Sequence, residues 1–136
     1  MYNIIFYENK NGESELYNQL IELAKESETN KDARIQFNQI SMCIDLLKEQ
    51  GTKLPTTITK HIEGKLWELR PGFNRILYFF HTNETYVLLH MFRRKTNKTP
   101  QKEIDKANRE IDNYISTKGG NVLWELGKIL RRKLRI

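Results

Sequence analysis

Cysteine is nearly absent. Cys43 stands alone in 136 residues, so no internal disulfide can form, and its place in a helical apolar pattern reads as a small core side chain. No stretch approaches the roughly 18 apolar residues of a membrane helix. The N-terminus lacks a charged segment followed by a long apolar run. A soluble, cytoplasmic protein with no membrane partner is therefore expected. His61, His81 and His90 are not spaced as a ligand set, and the lone thiol is isolated, so no metal site is expected. There is no internal repeat and no low-complexity linker. The length fits one domain with a hydrophobic core that needs no staples.

Charge, by contrast, is plentiful and unevenly placed. Residues 1–64 carry 7 Lys+Arg against 10 Asp+Glu, a balance of −3, whereas residues 65–136 carry 16 against 7, a balance of +9. A basic half suits a polyanion or an acidic partner, although an ordinary solvated surface gives the same total.

The hydrophobic pattern supplies the elements. Asn3–Tyr7 is a short run of β-formers broken by Asn11-Gly12, an edge or second strand. Ser14 is a plausible cap for a helix with Leu16, Leu20, Leu23 and Ala24 on one face. A second helix begins near Asp32. Its stripe of Ala33, Phe37, Ile40, Ile44 and Leu47 stops at Gly51, which makes a helical hairpin with the first. Residues 51–64 read as a crossing loop with an extended piece near Ile58–Ile62. From Lys65 the period becomes two. Trp67 and Leu69 point one way, and Leu66, Glu68 and Arg70 the other.

Pro71-Gly72 signals a turn, which sets Arg70 opposite Arg75, Leu69 opposite Ile76 and Trp67 opposite Tyr78. Arg75–Phe80 and Thr85–Phe92 complete a three-stranded antiparallel meander. Alternation groups His90 with Tyr86, Leu88 and Phe92. Thr99-Pro100 opens a third helix with Ile104, Ala107, Ile111, Tyr114 and Ile115 inward, stopped by Gly119-Gly120. Asn121–Ile136 reads as a basic amphipathic helix. The expected organisation is a domain over 1–119 and an appendage over 120–136.

The cations cluster at strand ends: Arg70 and Arg75 across the hairpin, then Arg93, Arg94 and Lys95, with Lys98 close behind. Opposed arginines repel unless solvated, countered by a carboxylate, or poised for an anion. Arginine's planar fork matches phosphate oxygens. Exposed strand ends paired with Glu68 or with solvent remain the plainer reading of the same spacing.

Leu66-Trp67-Glu68-Leu69-Arg70-Pro71, Arg75-Ile76-Leu77-Tyr78, Val87–Phe92, and Lys95-Thr96-Asn97-Lys98-Thr99-Pro100 with Glu103-Ile104 and Ala107 together resemble the HigB-type, phage-related branch of the RelE/ParE toxin superfamily. The resemblance spans about residues 1–117. It implies an α+β, RelE-like fold: an N-terminal strand and an antiparallel β-meander packed against a helical hairpin and a C-terminal helix, here with an extra terminal helix. It also implies a toxin of a type II toxin–antitoxin system that cleaves mRNA on the ribosome without cofactors. The implied partner is a helix-turn-helix antitoxin, and operator DNA is met only through that antitoxin.

Cleavage would proceed by attack of the RNA 2′-hydroxyl on the adjacent phosphorus. By alignment, Arg70 and Arg75 would stabilise charge. Lys95, crowded by Arg93 and Arg94, is the candidate proton carrier. Arg93, Arg94 and Lys98 are candidate RNA contacts. Glu68 is a general base or the counter-charge of Arg70, with the counter-charge favoured, and His90 is a further acid–base candidate that fits a packed residue better. Several superfamily members end in an acid–base Tyr or His that this chain lacks. A ParE-like toxin that binds DNA gyrase without cutting RNA is the alternative; a phage-derived nucleic-acid-binding module without catalysis is the third.

Overall fold

The computed structural model describes residues 1–117 and 122–123. The chain is α+β, in the order β1 (Asn3–Phe6), α1 (Glu15–Glu26), α2 (Lys31–Gln50), β2 (Thr59–Glu63), β3 (Leu66–Leu69), β4 (Asn74–His81), β5 (Thr85–Arg93), α3 (Gln101–Thr117) and β6 (Val122–Leu123). The sheet runs β2-β3-β4-β5-β1-β6. It is mixed: β2 to β5 are antiparallel neighbours, β1 lies parallel to β5, and the two-residue β6 pairs antiparallel with Ile5 and Phe6.

Local chemistry places the helices. The Ser14 side chain accepts from the Tyr17 N–H, and the Asn30 side chain accepts from the Ala33 N–H. Both satisfy donors that a helix start leaves open. The α2 stripe from Ala33 to Leu47 is buried. Gly51 ends the helix at φ 62°, ψ −145°, with the Tyr86 hydroxyl 2.6 Å from where a Cβ would stand, so only glycine fits.

Two cores flank the sheet. Leu69, Ile76, Tyr78, Tyr86 and Leu88 meet α1 and α2. Leu66, Leu77, Phe79, Val87 and Leu89 meet Ile104, Ala107, Ile111 and Tyr114 of α3. Strand alternation sends successive residues to opposite cores. The predicted pairing of β3 with β4 holds, with Trp67 opposite Tyr78 and Leu69 opposite Ile76.

Three expectations are corrected. The meander has four antiparallel strands, because Thr59–Glu63 pairs with β3 along its length, with a register shift between His61 and Glu63; the Tyr78 hydroxyl lies 2.6 Å from the Thr59 hydroxyl, which donates to the Glu68 carbonyl at 2.9 Å. A bulge in β5 opposite Leu77–Tyr78 adds one residue, so His90 leaves the face of Tyr86 and Leu88 and turns toward α3. Val122–Leu123, inside the expected terminal helix, form strand β6, and the rest of that helix lies outside the described residues. Among the described residues, no helix is long and apolar enough to cross a membrane.

Candidate anion-binding site

Glu68 organises the site. It lies on β3 with its side chain facing α3 and only 2% exposed. A buried carboxylate needs partners, and three groups supply them. Arg70 Nε donates to Oε2 at 3.0 Å, Arg75 Nε stands 3.9 Å from the same oxygen, and the Thr99 hydroxyl donates to Oε1 at 2.6 Å. One negative charge thus holds two arginines from opposite arms of the β3–β4 hairpin. The like-charge conflict foreseen from spacing is relieved by the carboxylate two residues before Arg70.

The arginines are fixed by backbone as well. Arg70 also donates to the Thr56 carbonyl at 3.2 Å, and Arg75 to the carbonyls of Gly72 and Asn74, each at 2.8 Å. Burial pushes the Arg75 guanidinium below its ordinary pKa; Glu68 opposes that shift, while Arg70 and Arg94 reinforce it. The guanidinium still carries its charge near neutrality. It is a fixed cation in a partly dry setting, where an anion is attracted more strongly than in water.

The end of β5 and the following loop close the site. Arg94 Nη1 donates to the Asn97 side chain, while its Nε is buried without a hydrogen-bond partner among the described residues. Arg94, Lys95 and Lys98 line a narrow crevice with Glu68, Arg75 and Thr99. Across Asn97–Thr99 opens a cleft of about 280 Å³, bordered by Lys60, His61, Arg70, Lys98 and Gln101. That is near the lower end of the roughly 300–1,000 Å³ typical of small-ligand pockets. Glu68 supplies one negative charge to the crevice, against Arg75, Arg94, Lys95 and Lys98.

Of the residues singled out from the sequence, Glu68, Arg70, Arg75, Arg94, Lys95 and Lys98 come together here. Arg93 stands to one side, its guanidinium 5.5 Å from the Phe73 ring centroid. His90 lies elsewhere. It is 2% exposed between β5 and α3, with Nδ1 2.5 Å from Glu110 Oε1 and Nε2 3.2 Å from Glu103 Oε1. Each contact requires a proton between nitrogen and oxygen, and both ring nitrogens are engaged. This clamp fastens α3 to the sheet and lines neither opening.

Sequence reasoning missed Thr99 as a partner of Glu68, treating it only as a helix cap. It also gave no role to Glu103, named only within the family motif, and none to Glu110. A signal was there: two carboxylates seven residues apart on the apolar face of α3, with Glu110 buried. Among the described residues, no group of His, Cys, Asp and Glu is arranged to hold a metal ion.

Comparison with known families finds one match. The family described as phage derived protein Gp49-like (DUF891) matches residues 27–112, from the start of the α1–α2 turn to within α3. No curated protein matches the chain.

Proposed function

The chain belongs to the Gp49-like family of phage-derived proteins, a toxin-like family related to the RelE-like endoribonucleases, and we propose that it is a HigB-type toxin that cleaves mRNA on the ribosome. One observation carries the proposal. A single buried carboxylate holds both Arg75, in the crevice lined by Arg94, Lys95 and Lys98, and Arg70, in the adjoining cleft that Lys98 also borders.

The arrangement suits cleavage driven by the substrate's own 2′-hydroxyl. The 2′-oxygen forms a bond to phosphorus, the bond to the 5′-oxygen breaks, and a cyclic phosphate remains. Arg75 and Arg70 stabilise the charge that grows on the phosphoryl oxygens. Lys95, exposed at the rim, relays a proton between solvent and the reacting oxygens. Glu68 is the counter-charge, since both of its oxygens are already engaged. Lys98 and Arg94 hold flanking phosphates. In this reading residues 1–119 form the toxin unit, the basic segment 120–136 is its appendage, and the partner is a helix-turn-helix antitoxin that covers the cationic site.

Primer extension on a translated mRNA tests the proposal. New 5′ ends should appear with the wild-type chain and vanish with Arg70→Ala and Lys95→Ala. Intact transcripts accompanied by loss of gyrase supercoiling would overturn it in favour of the ParE-like alternative.

A further inference from the structure

Phe73 is displayed where a core residue would be hidden. It is 57% exposed, although the loop that carries it is held on several sides. Pro71 before it is buried. Gly72 has φ +60° and presses on Gln39, whose side-chain oxygen lies 2.3 Å from where a Cβ would stand. Asn74 is buried, and its side chain donates to Gln36 of α2 at 3.0 Å. The Phe73 carbonyl accepts from the Arg94 N–H at 2.7 Å. The backbone is thus fixed while the ring projects into solvent.

The ring's neighbours are cations. The guanidiniums of Arg93 and Arg94 lie 5.5 and 5.4 Å from its centroid. Arg94 also lines the crevice with Arg75 and Glu68, so ring and crevice are contiguous. An exposed aromatic ring with guanidiniums over it, joined to an anion site, suits single-stranded nucleic acid: a base takes the place of a guanidinium on the ring, and the arginine so released meets its phosphates.

We propose that Phe73, framed by Arg93 and Arg94, is the stacking platform for an unpaired nucleobase next to the phosphate held at Arg70 and Arg75. The proposal rests on the RNA-directed reading of the cationic site and names a residue that reading does not use.

Fluorescence of Phe73→Trp, taken as a difference from wild type, tests it. A short single-stranded oligoribonucleotide should quench the new indole, and an abasic strand of equal length should bind without quenching. Phe73→Leu should weaken binding of the intact strand about tenfold, as loss of one stacked base does, and leave the melting temperature unchanged. Equal quenching by both strands, or wild-type affinity in Phe73→Leu, overturns the platform. Quenching by an intact strand that is never cut, even on translating ribosomes, leaves the platform standing and removes the nuclease reading instead.

Discussion

Replacing Glu68 with glutamine removes the charge that gathers the site and keeps nearly the same shape. Glutamine offers one acceptor oxygen where the carboxylate offered two, so it cannot serve both Thr99 and Arg70. A hydrogen bond to a charged partner contributes about 1.5–3 kcal/mol. The Arg70 side chain is 22% exposed, so water compensates part of the loss, and about 2 kcal/mol is expected. For a chain of this length that lowers the melting temperature by about 7 °C. Phosphate should restore much of it. An anion at ten times its dissociation constant adds about 1.4 kcal/mol, and it substitutes for the missing carboxylate between Arg70 and Arg75.

Cleavage is the second readout. If Glu68 is a counter-charge, Glu68→Gln should retain cleavage within about tenfold of wild type well below its melting point. Arg75→Ala should lose about 10²–10³-fold, the scale of removing a charge-stabilising donor, with a much smaller loss of stability. Thermal melts with and without phosphate, and primer extension on the same preparations, measure both. Glu68→Gln as inactive as Arg75→Ala, yet melting with the wild type, would refute the counter-charge argument and make Glu68 the base.

His90→Phe should cost about 2–3 kcal/mol in urea unfolding, because Glu103 and Glu110 lose their shared partner. Cleavage per folded molecule should be unchanged, and a selective loss of rate would return His90 to the chemistry. Gly51→Ala should cost about 3 kcal/mol by the same measurement, since it combines a glycine-only backbone with a collision against Tyr86 and Tyr2. Burial pushes the Cys43 thiol up from 9.0 to about 11. Its contribution to stability is therefore complete below pH 9 and is lost as the pH rises toward 11. Wild type should lose more stability across that window than Cys43→Ala, and a difference that stays flat with pH would refute the assignment.

Much of the fold was legible because it is encoded locally. A period of two in residues 66–80 and the Pro71-Gly72 turn suffice to pair Leu69 with Ile76, and the stripes of α2 and α3 name their own buried faces. Segment 59–63 was harder. It reads as a loop with an extended piece, and it becomes a full strand by pairing with β3 through Thr59, Glu68 and Tyr78.

The sequence by itself, through strand alternation and a tight turn with no bulge between Glu68 and Leu77, set Arg70 and Arg75 against each other on one side of a hairpin, with Glu68 on the same side. The tertiary structure alone decided what those charges do. Thr99 reaches Glu68 only because the loop before α3 folds back across β3. His90 meets two glutamates only because an extra residue in β5 turns it toward α3. Phe73 is displayed only because its loop is held against α2 and Arg94. Alternation assigns a residue to a face, but a bulge resets the count, and contacts between distant elements depend on how helices dock on the sheet.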